Sequence, residues 1–205
     1  MTDHSDLASQ ADALIQASQA ASARGDTAEA TRLLEQAAAV GGGHPVGLWL
    51  LGAEYAEARR YEEAEQCMTR AIELAPNMGV CRFQLGLMQL TSGRPQQAAQ
   101  TWTPFDELPE EEPLRLFAVG LLAMVRGEYD LATAALQRGI ALNATVLPLN
   151  RDMQMVLGEI DRLRNEVPPA DGQATTEGNA QTEEAEETDS DAHVLLTAYR
   201  GSQLQ

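Results

Sequence analysis

The sequence predicts an all-α fold: stacked helix hairpins closed by a capping helix, followed by a disordered acidic tail. Three observations carry this reading. The chain is rich in Ala, Leu, Glu and Gln and only 4% aromatic, and straight-chain residues lose little rotamer freedom in a helix. Small residues recur every 34 positions at Ser18, Gly52, Gly86 and Gly120, and two further series, Ala30, Ala64, Ala98, Ala132 and Leu34, Met68, Trp102, Leu136, keep the same step. Such self-similarity marks a repeat array. Within the units, Gly25, Gly93 and Gly127 separate two apolar-periodic stretches where one helix must end and the chain must turn, with Arg59 in that place in the second unit.

Each unit therefore reads as a helix hairpin, giving at least eight antiparallel helices between about residues 6 and 144. The small residues have a physical reason, since two helices approach closely only where one lacks a bulky side chain. The units fall at 11–44, 45–78, 79–112 and 113–146 of one domain spanning 11–165, with residues 1–10 as a flexible N-terminus. Pro104, Pro109 and Pro113 lie in an acidic junction whose prolines should end one helix and help start the next. Asn150 is positioned to cap a last helix over 150–165, in which Met153, Met155, Val156, Leu157, Ile160 and Leu163 form an apolar stripe. Turned with Asp161, Arg162 and Arg164 outward, that helix is the polar lid a stacked array needs for solubility. Residues 166–192 read as a disordered linker, with eight acids and no Lys or Arg from Val167 onward. In the short apolar segment 193–205, residues 193–200 could form one or two helical turns, with Asp191 near the start and Gly201 just past the end.

The second unit resembles the tetratricopeptide repeat family. Leu48, Leu51-Gly52, Tyr55, Ala64, Met68, Ala71 and Pro76 occupy the family's signature positions, and the run from Arg60 to Ala64 looks like the usual opening of its second helix. In the third unit Leu85-Gly86, Gly93, Ala98 and Trp102 fit, while Phe105 and Glu110 stand where Ala and Pro are usual. The fourth departs at Gly139 and Ala144, and the first keeps Gly25-Asp26, Ala30, Leu34 and Ala37 but has Ala21 for Tyr. The resemblance covers roughly residues 11–146. It implies a right-handed α-α superhelix of about four hairpins and a protein-binding role, although function resides in the residues grafted on the fold.

The formal charge of −17, from 14 basic and 31 acidic residues, opposes binding to nucleic acid or anionic membrane surfaces. The acidic, polar start from Met1 to Leu7 lacks the basic and apolar regions of a signal peptide, and no window approaches the ~18 apolar residues of a membrane span. A cytoplasmic location without membrane insertion is expected. Cys67 and Cys81 lack CxxC spacing or a clustered His and read as buried reduced thiols, with no metal and no cofactor indicated. His4, His44 and His193 lie in a terminus, a turn and the tail, and no phosphate-cradling loop or nucleophile elbow is present. The stretch 41–45, Gly-Gly-Gly-His-Pro, lacks the strand and following Lys of a phosphate loop and reads as a turn between repeats. No catalytic residues are assigned, and the chain is not expected to be an enzyme.

In the resembled family the first helix of each repeat lines a concave groove that holds the ligand. Carried over through the 34-residue registers, the groove positions are Ile15 in the first unit, Trp49 and Ala53 in the second, Phe83, Leu87 and Leu90 in the third, and Leu114, Phe117, Leu121 and Met124 in the fourth. This lining is apolar. Family members that clamp acidic C-terminal peptides of chaperones present Lys, Asn and Arg there, whereas this chain offers Trp49, Ala53 and Glu57, which argues against such a clamp. The stretch 114–125 is apolar almost all round, so its outer side needs a cover. The expected function is an adaptor or chaperone-like module holding an apolar or amphipathic peptide of a protein partner. Two alternatives stand beside it. One is a self-associating assembly protein whose docking segment, Val194, Leu195, Leu196 and Tyr199, enters a groove. The other is a protein similar to the secretion chaperones that keep hydrophobic translocators soluble in bacteria.

Overall fold

The structure, a computed structural model, describes residues 4–166. Among these the chain forms nine α-helices and no strand: α1 (His4–Ala23), α2 (Thr27–Ala39), α3 (Pro45–Glu57), α4 (Tyr61–Leu74), α5 (Gly79–Thr91), α6 (Pro95–Trp102), α7 (Pro113–Val125), α8 (Tyr129–Leu142) and α9 (Leu147–Glu166). They pack as the hairpins α1/α2, α3/α4, α5/α6 and α7/α8, and each second helix packs on the first helix of the next unit, with α9 closing on α8. The acidic linker and the 193–205 segment lie outside the described residues.

All four hairpins close by one device. Gly25, Arg59, Gly93 and Gly127 have φ of 77°, 58°, 71° and 75°, and the N–H of the next residue donates to the carbonyl five residues back: Asp26 to Ala21, Arg60 to Tyr55, Arg94 to Gln89 and Glu128 to Ala123, at 2.8–3.0 Å. This is the Schellman closure, which needs one residue in the left-handed region. Arg59 takes that conformation without being glycine. The turn before α3 is a short 3-10 segment, Val40–Gly42, after which His44 Nδ1 accepts from Gly47 N at 3.2 Å and caps the helix.

The three sequence registers meet at one contact in the second and fourth units. A Cβ on Gly52 would lie 2.9 Å from Met68 Cγ and 3.1 Å from the Ala64 carbonyl, and one on Gly120 would lie 2.7 Å from Leu136 and 3.2 Å from the Ala132 carbonyl. The third unit is built differently. Its second helix stops at Trp102 and continues as a 3-10 turn, Thr103–Glu107, which contains Pro104. Phe105, Trp102, Phe83 and Phe117 form the centre of the core of the third and fourth units. The two departures from the family pattern are explained by this packing. Phe105 stands in place of the usual Ala and is buried in that aromatic centre, while Gly139 leaves room for the Phe117 ring, whose Cε1 a Cβ there would approach to 2.5 Å.

Two boundaries differ from the sequence expectation. Residues 1–10 are not wholly a flexible N-terminus: α1 starts at His4, because Leu7 is half-buried over the Val40–Gly42 turn, where a Cβ on Gly41 would stand 3.5 Å from Leu7 Cδ1. The last helix starts at Leu147 instead of Asn150. Asn143 takes over the bend: its Oδ1 accepts from Val146 N at 3.0 Å, its Nδ2 donates to Asn150 Oδ1 at 2.8 Å, and Asn150 Nδ2 returns a bond to the Asn143 carbonyl at 3.2 Å. Leu149 is thereby carried into the core. One further step along the small-residue series falls on Gln154, which is exposed.

Candidate binding groove

The ten groove positions expected from sequence lie on the first helices of the hairpins, α1, α3, α5 and α7. α5 packs directly on α7, while adjacent second helices pack on one another less than this. Burial sorts the ten groove positions expected from sequence into two groups. Ile15, Phe83, Leu87, Phe117 and Leu121 are at most 8% exposed. They are core, a correction with a clear cause: the aromatic pair turns inward because Gly86 and Gly139 leave room for Trp102 and Phe117, and the Phe83 and Trp102 rings stack at 5.5 Å between centroids. Trp49, Ala53, Leu90, Leu114 and Met124 remain half-buried on the first helices.

Among the described residues six large apolar side chains stay exposed, and four of them lie on first helices or on α9, which follows the same register: Val46 at 38%, Val125 at 48%, Leu147 at 62% and Met155 at 39%. Simple register carry-over missed them. Met155 was legible at the place equivalent to Ala53, Leu87 and Leu121, and Val46 at the place equivalent to Leu114. The Trp49 indole is fixed across the boundary between units, where its Nε1 donates to Oε1 of the buried Gln84.

The charge on this face is also uneven. α5 and α7 contain no carboxylate, although the chain as a whole carries −17. Their arginines are held by carbonyls: Arg82 donates to Thr101 O at 3.4 Å and Pro76 O at 3.2 Å, and Arg115 donates to Leu108 O. Acidic residues instead appear in ties between second helices and their neighbours. Glu65 of α4 accepts from Gln89 of α5 at 2.9 Å and from Arg94 at 2.8 Å, and Gln89 accepts from Thr101 of α6 at 2.7 Å.

Groups that could do chemistry are scarce. Burial pushes the Cys81 thiol up to about 12 and raises that of Cys67, so both stay protonated. Asp152 of α9 is 1% exposed with neither carboxyl oxygen hydrogen-bonded, and burial lifts its pKa to about 7 against the opposing pull of Arg151. Sequence gave no sign of this, since Asp152 occupies an ordinary polar place in the helical pattern. Among the described residues no group of three or more His, Cys, Asp or Glu could hold a metal ion, and no helix is long and apolar enough to cross a membrane. An open recess of about 610 Å³, lined by Leu7, Ala13, Leu14, Gln36 and Val40 among others, lies between α1 and α2 at the other end of the array from α9.

Stacked hairpins with recurrent close contacts define a helical-repeat interaction scaffold. The second hairpin matches the tetratricopeptide repeat family, over residues 45–78. Among solved structures the chain is similar to "MamA 41-end from Desulfovibrio magneticus RS-1", with 16% identity and a TM-score of 0.57 over 94% of this chain and 97% of that one. It is similar to the same degree to "MamA RS-1 ArsTM double mutant", with 17% identity, a TM-score of 0.57, and 95% and 96% covered. At such identities the likeness is one of fold. No curated protein matches the sequence significantly.

Proposed function

We propose that this protein is an interaction module, adaptor or chaperone-like, that holds an apolar or amphipathic peptide of a partner protein against its first helices. The observation that carries the reading is the concentration of exposed apolar side chains, Val46, Val125, Leu147 and Met155, on the same helices as half-buried Trp49, Leu90, Leu114 and Met124. Exposed apolar surface in water is costly, and a contiguous stretch of it marks an interaction face. An amphipathic helix or extended strip laid across the face would bury these side chains against its own apolar residues. α5 and α7 contain no carboxylate, so apolar contacts there form without desolvating an acid.

A panel of fluorescent peptides that are apolar with acidic flanks, apolar with basic flanks, or wholly polar tests this on the full chain. The two apolar classes should bind, and the Val125→Glu/Met155→Glu double variant should lose that binding at an unchanged melting temperature. Equal affinity for the polar class, or binding indifferent to the double variant, would remove the groove from the function.

A further inference from the structure

We propose that α9 is a detachable cap gated by one proton: it docks on the array while the Asp152 carboxyl is protonated and swings off about the Asn143 bend when that carboxyl ionises. The gate works whether or not a peptide lies against the first helices. Asp152 sits in the middle of the apolar stripe of α9. Leu149, Met153, Val156 and Ile160 belong to one core with Phe117 and Leu121 of α7 and Leu136 of α8, and Asp152 is as deeply sunk as they are, with neither oxygen hydrogen-bonded. The 34-residue register shows what it lacks. Two steps back the same place is held by Gln84 of α5, also buried, whose Oε1 accepts from Trp49 Nε1 on the preceding first helix. On α7 the residue at the Trp49 place is Phe117, whose ring has no donor to offer.

No neighbouring charge makes up the loss. α9 packs on α8, whose titratable groups are Tyr129, Asp130 and Arg138, and shares its core with α7, which carries Arg115. Asp130 is paired with Arg164, Arg138 with Glu111, and Arg115 with the Leu108 carbonyl. Among the described residues the one charge that acts on Asp152 is that of Arg151, beside it on α9, and burial outweighs it to give a pKa of about 7. A buried carboxyl without partners is tolerated as the neutral acid and costly as the anion. Below about pH 4 the docked and free caps both hold the proton, between about 4 and 7 only the docked cap does, and above that neither does. Docking therefore weakens about tenfold per pH unit across the window, and roughly 90-fold from pH 5 to pH 8.

The other ties of α9 are slight. The ion pair of Arg164 with Asp130 lies at the surface, with Asp130 fully exposed, and exposed pairs hold little. At the start of the helix the bonds of Asn143 with Val146 and Asn150 run within residues 143–150, so they shape the bend without fastening the helix beyond it. As the last helix of the array, α9 can leave without unstacking the four hairpins. Its departure bares Met153, Val156 and Ile160 together with the face they cover.

Hydrogen exchange of the full chain, read by mass spectrometry from pH 5 to pH 8 and corrected for the intrinsic pH dependence of exchange, follows this opening. Peptides covering residues 150–165 should lose protection roughly 90-fold over that range, while peptides from α3 and α4 keep theirs. Asp152→Asn preserves the shape and removes the charge, so its α9 protection should not vary with pH, and Asp152→Leu should give the same flat profile. Protection of α9 that is flat with pH in the wild-type chain overturns the proposal. So does a fall that either variant retains, or one shared equally by α3 and α4, since Asp152 would then act on the whole fold and not on its cap.

Discussion

The indole of Trp102 fills the space that a side chain at position 86 would need. A Cβ on Gly86 would lie 2.2 Å from Trp102 Nε1, the atom that donates to the Phe83 carbonyl at 3.2 Å. Gly86→Ala should therefore push the indole off both its hydrogen bond and its stacking partner. The expected cost is about 3 kcal/mol. Gly158 provides the contrast, because nothing lies within 4 Å of a Cβ there and the residue sits exposed inside α9. Gly158→Ala should stabilise by about 0.8 kcal/mol, the difference in helix propensity. Denaturant unfolding of the two variants reads both, and a mild Gly86→Ala would show that Trp102 can swing away.

Arg59 is the other point of strain. It holds φ of 58° at the place where the other three hairpins use glycine. Arg59→Gly should gain up to about 1 kcal/mol, the left-handed penalty being partly offset by the greater entropy of glycine in the unfolded chain. A loss of stability measured by thermal melting would mean that the Arg59 side chain outweighs its backbone.

Core and face are separable by mutation. Phe83→Ala and Phe117→Ala remove fully buried rings and should each cost roughly 3–5 kcal/mol. Val125→Glu changes a side chain that is 48% exposed and should shift the midpoint little. Circular dichroism melts separate the two classes.

Asp152 makes stability depend on pH in a direction unusual for a carboxylate. Burial raises it from its ordinary 3.8 to about 7. Between those values the folded state holds a proton that the unfolded chain has released, so this group's contribution is fully present below about pH 4 and declines as pH rises through 7. Asp152→Asn removes the titration. Its stability relative to the wild-type chain should improve between pH 5 and pH 8 by roughly 2–3 kcal/mol. A difference that stays constant with pH would mean that Asp152 is solvated.

The fold was legible because three independent registers share one step, and each register has a steric meaning at the Gly52, Ala64 and Met68 contact. The turns were legible for a similar reason, as the left-handed place is nearly always glycine. The face was legible only in part. Register equivalence gives the side of a helix a residue occupies but not its depth. Depth was decided at Gly86 and Gly139 by what the facing helix presents, so Phe83 and Phe117 sank while their equivalent Trp49 stayed at the rim. The start of α9 was hidden because Asn150 is a good cap in isolation, and its pairing with Asn143 depends on a bend no local pattern encodes.

Gln154 stands exposed on α9 at the place where the four hairpins carry Ser or Gly, the last such place among the described residues. Five first helices, α1 to α9, at about 10 Å spacing give an inner face of about 40 Å. An extended peptide advances about 3.3 Å per residue, so a ligand crossing the whole face contributes about twelve residues, and a longer one must overhang.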